Sequence, residues 1–233
     1  MGRYFFNPFS FILIFVFFGI MLILIPLLFF GFIGGAFTRL GFTWHQAFLI
    51  LLFTLIGSMI NIPLKKVENP PIAVKMEKGF FGGIYRIPEI SPTTIIAVNV
   101  GGALIPVVIS VYLILRVLTF PEGMTIAISA LIAVLVVTFV TYRVARPIPG
   151  LGIATPMFVP PLCALICGIV LSWGLPVAAP VIAYIGGTLG TLIGADLLNL
   201  RRISELGAPV ASIGGAGTFD GVFLTGVIAA FLA

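Results

Sequence analysis

Apolar runs of membrane-spanning length follow one another through the whole chain with only short gaps between them. They lie at 9–35, 42–60, 93–118, 123–142, 151–173, 175–200 and 206–233. A transmembrane helix needs about 20 apolar residues. A surface facing water cannot be built from such runs, because only 8% of the residues are charged, against about 25% in a soluble domain. Lipid must therefore be the solvent for much of the molecule. The expected fold class is all-α: a polytopic helical membrane protein with about seven transmembrane helices, residues 1–233 forming a single transmembrane domain.

The first run is longer than the apolar core of a cleaved signal. It predicts a retained helix with Pro26 as a kink site. Trp44 and His45 start the second run, where amphipathic rings favour the interface. Residues 62–91 break the pattern with Lys65, Lys66, Glu68, Lys75, Glu77, Lys78, Arg86 and Glu89. Short apolar segments at 72–76 and 80–87 flank Glu77-Lys78-Gly79, which reads as a small β-hairpin in a cytoplasmic loop insertion; a plain polar loop fits equally well. In the fifth run Pro156, Pro160 and Pro161 cannot all sit inside an unbroken helix. They mark either an unwound segment lining a cavity or a kinked packing helix. Gly207, Pro209, Gly214, Gly215 and Gly217 make the first half of the last run a poor helix, so the seventh helix is expected to begin near Thr218.

Basic residues follow the gaps. With the N-terminus cytoplasmic, one side collects Arg3, Lys65, Lys66, Lys75, Lys78, Arg86, Arg143, Arg146, Arg201 and Arg202, and the other holds Arg39 and Arg116. This is the positive-inside bias, and it predicts a cell-membrane protein with its C-terminus outside. The net charge of +5 then reflects topology, and nucleic acid is not expected as a partner. The single histidine and two cysteines form no metal-ligand cluster, so no zinc, haem or other cofactor is expected. Cys163 and Cys167, four apart on one helix face, read as small buried hydrophobes.

The chain contains only two aspartates, Asp196 and Asp220. They fall at the end of the sixth run and the start of the seventh, not in the charged loop. Acids within membrane segments are costly and are candidates for function. Two carboxylates a few ångströms apart cannot both ionise easily, so one keeps a proton and the pair offers a base and an acid together. Glycines beside them, Gly194, Gly215, Gly217 and Gly221, would let a substrate backbone come close. The bland alternative is also open: Asp196 pairing with Arg201 or Arg202 at the interface, and Asp220 capping the last helix. Gly186, Gly190 and Gly194 form a GxxxGxxxG seam for close helix packing, with Asp196 turned away from it. Asn99 and Tyr184 are polar residues that could line a cavity, or each be satisfied by one hydrogen bond across helices. The segment 97–102 slightly resembles 182–187, which would suit an inverted repeat.

Gly194-Ala195-Asp196 and the run from Gly215 to Asp220 resemble the intramembrane aspartyl proteases of the presenilin and signal peptide peptidase type. In that family one aspartate precedes a helix that opens with Gly-x-Gly-Asp. Here two residues separate Gly217 from Asp220, and the family's Pro-Ala-Leu motif has no counterpart. The runs 186–196 and 214–221 also resemble an uncharacterised family of prokaryotic multi-spanning membrane proteins. The protease resemblance implies hydrolysis of a membrane-embedded peptide, with Asp196 and Asp220 catalytic. The alternatives are a proton- or cation-coupled transporter using the same acids, and a non-catalytic scaffold. The expected partners are the lipid bilayer and either a transmembrane peptide or a small ion.

Overall fold

The computed structural model describes residues 8–68, 92–148, 152–175, 177–203, 209–215 and 217–233. Helix α1, Pro8–Arg39, runs unbroken through Pro26. Its outer part presents large apolar side chains on all sides, such as Phe15, Leu22 and Ile23, a surface that only lipid or another apolar partner tolerates. Gly41, with φ +86°, turns the chain. Thr43 then starts α2, Trp44–Gly57, through a capping box with Gln46, which satisfies two otherwise orphaned backbone donors.

After α2 come β1 (Asn61–Glu68) and β2 (Thr93–Asn99). A wide π-type turn over Val100–Leu104 leads into α3, Ile105–Val117, followed by α4, Gly123–Val144. A short ladder of β3 (Arg146–Ile148) with β4 (Gly152–Ala154) precedes α5, Val159–Leu171. Helix α6, Ala178–Thr191, continues through a second π-type turn at Leu192–Asp196 and a tight turn at Leu197–Asn199 into α7, Leu200–Ile203. The chain closes with β5 (Val210–Ile213), a 3₁₀ turn at Gly217–Phe219 and α8, Gly221–Leu232.

Four helical segments are long and apolar enough to cross a membrane: Phe11–Arg39, Val100–Val117, Gly123–Val144 and Ala178–Asn199. Helices α2, α5 and α8 are apolar but shorter. Helix α6 is the centre of the bundle, with thirteen of its residues buried. Its glycine seam packs on α4: a Cβ at Gly186 would lie 2.7 Å from the Ala133 Cβ, one at Gly190 2.6 Å from the Val137 Cβ, and one at Gly194 2.5 Å from the Thr138 carbonyl oxygen. On the opposite face Gly187 admits Thr225 of α8 and Ala164 of α5. Dispersion across these close backbones replaces the hydrophobic drive that lipid removes.

The all-α expectation needs correction. A three-stranded sheet of order β1-β2-β5 stands at one end of the bundle. Strand β2 pairs antiparallel with β1, from Asn61 opposite Asn99 to Glu68 opposite Thr93, and parallel with β5, from Ile95 opposite Val210 to Val98 opposite Ile213. The third apolar run therefore turns helical only at Val100, seven residues in, with α3 itself starting at Ile105. Thr93, Thr94, Ile95, Ile96 and Val98 are β-branched, and they settle as a strand once partners flank them on both sides. Pro63 and the irregular register beside it sit on the edge strand β1, with Lys65 and Lys66; proline and lysine suit an edge because it need not donate to a further strand. The hairpin expected within 72–87 lies outside the described residues.

Two further expectations change. The fifth helix begins at Val159, and Pro160 and Pro161 occupy its first turn, where a missing N–H costs nothing. They neither kink nor unwind it. The likeness of 97–102 to 182–187 has no structural counterpart, since the first begins in a strand and the second lies within α6. A different internal likeness emerges: β2 and β5 are parallel neighbours, and each runs through a Gly-Gly pair toward a helix.

Candidate functional site

The two aspartates come from the two chain segments that meet below the sheet. Asp196 closes the π-type turn that ends α6; such turns widen the helix and re-aim one side chain. Its Oδ2 accepts the Gly214 N–H at 2.8 Å. Gly214 follows β5 with φ +67°, a left-handed conformation that glycine adopts without strain. That conformation aims its N–H at Asp196. The Gly217 N–H then donates to the Gly214 carbonyl at 3.0 Å, and the Asp220 N–H to the Gly217 carbonyl at 2.9 Å. Asp220 is the N-cap of α8, its Oδ2 accepting the Val222 N–H at 3.0 Å. A short relay of backbone hydrogen bonds thus ties the Asp196 carboxylate to the backbone of Asp220. The turn from Gly214 to Asp220 brings the two aspartates into one junction.

The turn carrying Asp220 is clamped from two sides. Gly214 packs on Gly102 of the other strand-to-helix junction, where a Cβ on Gly214 would lie 2.5 Å from the Gly102 carbonyl carbon. The Ser58 Oγ at the end of α2 accepts the Thr218 N–H at 2.8 Å and lies 3.0 Å from the Thr218 Oγ1. Asn99, fully buried, joins the elements: its Nδ2 donates to the Ser58 carbonyl at 2.8 Å and to Asn61 Oδ1 at 3.1 Å, and its Oδ1 accepts the Gly102 N–H at 2.8 Å. Ser212 of β5 donates to the same Asn61 oxygen at 2.6 Å. Every amide position of Asn99 that reaches a neighbour is therefore used in orienting the junctions. Asn99 stood out in the sequence as a lone polar residue. Ser58, Asn61 and Thr218 carried no such signal, because their importance arises from who meets them.

The expected substrate-facing glycines divide. Gly194 is packed against Thr138 and Thr141 of α4, and at Gly217, with φ +62°, a Cβ would meet Ser58. Gly215 is exposed beside Ser212. Gly221 borders a cavity of about 230 Å³ that Thr155, Met157, Pro160, Pro161 and Leu224 also line. The cavity opens directly after Asp220, between the starts of α5 and α8. The interfacial pairing of Asp196 with Arg202 is not what the structure shows: the Arg202 Nη1 reaches the Asn199 Oδ1 at 3.4 Å, and the Asn199 Nδ2 in turn holds the Gly194 and Ala195 carbonyls. Asp220 does cap α8, so the structural role foreseen for it is present alongside its proximity to Asp196. The Arg201 side chain lies outside the described residues.

Residues 55–232 match the model of a family described as a protein of unknown function, DUF1614. No curated protein and no solved structure matches the chain. The match begins in the last turn of α2 and takes in the sheet, both aspartates and α8.

Proposed function

The chain belongs to the DUF1614 family of proteins of unknown function, and from its geometry we propose that it is an intramembrane aspartyl hydrolase cleaving a membrane-embedded peptide. The observation that carries this is the single junction that holds both acids, Asp196 through the Gly214 N–H and Asp220 as the cap of α8 six residues later. One carboxyl keeps a proton and the other is ionised. The ionised carboxylate removes a proton from water as its oxygen attacks the peptide carbonyl carbon. The protonated carboxyl gives its proton to the carbonyl oxygen, forming a gem-diol. Collapse of the diol breaks the C–N bond, and the amine leaves with a proton returned by the pair. The cavity beside Gly221 supplies room for one substrate side chain next to this chemistry.

Depth supports the reading. Helix α8 has 12 residues, ~18 Å at 1.5 Å each, and its last turn is tied to α1 by the Arg39 Nη1 bond to the Phe231 carbonyl. From that end a hydrocarbon layer of about 30 Å extends past Asp220, so the pair works below the membrane surface. The helices alternate in direction between the sheet end and the Arg39 end. We assign seven crossings on that basis, α2, α5 and α8 being completed by the sheet-end segments, with the N-terminus and the basic sheet end cytoplasmic.

Two experiments test the reading. A peptide carrying a hydroxyethylene group in place of one amide, mimicking the gem-diol, and a photoreactive label should crosslink to the purified protein in micelles, because a transition-state mimic binds more tightly than its amide parent. Equal labelling by both peptides would remove the support for hydrolysis. For topology, in a Cys163→Ala/Cys167→Ala background, Lys66→Cys should react with a membrane-impermeant maleimide only from the cytoplasmic side and Phe120→Cys only from outside. The reverse pattern would reject the orientation.

A second reading, proton or cation transport by the same acids, draws on one observation. Tyr184, Thr188 and Thr191 of α6 bury hydroxyls that make no hydrogen bond of ordinary geometry, although Tyr184 and Thr188 lie near each other. Buried polar atoms of this kind often contact internal water. They lead along α6 toward Asp196. Proton flux in liposomes, abolished by Asp196→Asn with no peptide cleaved, would favour transport over hydrolysis.

A further inference from the structure

The opposite end of the bundle holds a cavity that the acid pair does not use. It measures about 260 Å³ and lies between the ends of α1 and α3 and the starts of α4 and α6, lined by Arg39, Arg116, Leu113, Val117, Ile126 and Val181, among others. These arginines are the two basic residues left outside by the positive-inside distribution. The Arg116 Nη1 donates to the Leu40 carbonyl at 3.0 Å and the Arg39 Nη1 to the Phe231 carbonyl at 3.1 Å. Each guanidinium has five N–H donors, so these single bonds fix its position and leave most donors unspent. Gly41 helps: a Cβ there would lie 2.5 Å from the Arg116 Nη1, so glycine at this turn admits the guanidinium as well as the positive φ. Among the described residues neither arginine is paired with a carboxylate. Glu122 also lines the cavity, and two arginines against one acid leave the site net positive.

The depth of the site is marked by Trp44 and Trp173, both exposed at this same end. Exposed indoles collect at the headgroup level of a bilayer. Two anchored guanidiniums at that level, above an apolar wall, match one class of molecule. We propose that this cleft binds an anionic phospholipid in the outer leaflet: Arg39 and Arg116 hold its phosphate, and Leu113, Val117, Ile126 and Val181 receive the start of an acyl chain. Arginine suits phosphate through paired N–H donors, and basic pockets between transmembrane helices are a physical basis for headgroup recognition. The net positive lining selects a headgroup of net negative charge over a zwitterionic one.

The test uses the full chain in detergent, with phosphatidylglycerol, phosphatidylcholine and inorganic phosphate as probes and native mass spectrometry as the readout. Phosphatidylglycerol should be retained about tenfold better than phosphatidylcholine. The Arg39→Gln/Arg116→Gln protein should lose that preference, whereas Arg143→Gln, at the other membrane face, should keep it. Arg116→Lys should bind at an intermediate level, because it keeps charge but not the paired donors. If Arg116→Gln fails to fold, Arg39→Gln alone carries the test, since that side chain is exposed. Retention of phosphatidylglycerol unchanged in the arginine variants would overturn the proposal. Complete competition by millimolar inorganic phosphate would overturn it as well, showing a free-anion site rather than a lipid site.

Discussion

Asparagine at either Asp196 or Asp220 is expected to abolish peptide hydrolysis and to leave the protein folded. The loss should be on the order of 10³-fold or more, and the double variant should be no worse than either single one, because residues acting as a unit do not contribute additively. The reason folding survives is specific. An asparagine oxygen can still accept the Gly214 N–H that Asp196 accepts, and the Val222 N–H that Asp220 accepts. Asparagine is as good a helix N-cap as aspartate. Alanine separates the two roles: Asp220→Ala should cost about 1 kcal/mol of stability as a lost cap, and Asp196→Ala about 1–3 kcal/mol by orphaning the Gly214 N–H. Cleavage of a fluorogenic transmembrane peptide, beside thermal unfolding of each variant, gives both readouts. Asparagine variants that unfold like the alanine ones would assign the acids a structural role alone. Asparagine variants with full cleavage would remove the acids from the chemistry.

The second large effect is expected at Gly214. Alanine there must hold φ +67°, which costs about 1–3 kcal/mol for a residue with a Cβ. Its Cβ would also press on Gly102, 2.5 Å from the carbonyl carbon, for about 1–3 kcal/mol more. Gly214→Ala should therefore destabilise by about 2–6 kcal/mol and shift the N–H that holds Asp196. Gly215→Ala is the matched control. Gly215 has no positive φ and is exposed, although its Cβ would lie 2.8 Å from the Ser212 carbonyl oxygen. A smaller loss there, in unfolding measured in the same detergent, is the expected contrast. Equal tolerance at both positions would show that the junction relaxes easily and does not fix the acid pair.

How far these features were legible in the sequence depends on whether their cause is local. The break before the last helix was legible, because Pro209 and the glycines after it carry their own conformational preference; the described residues there form a strand, a turn and a 3₁₀ turn. The seam of Gly186, Gly190 and Gly194 was legible for the same reason, and it packs on α4. Strand β2 was not. Its apolar residues run straight into α3 without a polar break, and only pairing with β1 and β5, distant in sequence, settles them as a strand. The prolines of α5 were misread because composition does not reveal that a helix starts just before them.

At the acid pair the sequence pointed to Asp196 and Asp220 through their rarity and position. It also suggested four glycines around them as a cradle for substrate, and two of these have close neighbours within the protein. Gly194 faces α4 and Gly217 faces Ser58. A glycine signals close approach, but not of what. The clamp of Ser58, Asn61 and Thr218 left no sequence signal, since small polar residues are common and only tertiary contact gives these their work.

The central claim is that Asp196 and Asp220 share one water. An experimental structure of the protein in lipid nanodiscs would measure the separation of their nearest carboxyl oxygens. A water bridging both makes two hydrogen bonds of about 2.8 Å each, so the account predicts a separation of roughly 5.5 Å or less. A separation above about 10 Å, beyond the reach of a single bridging water, would contradict it.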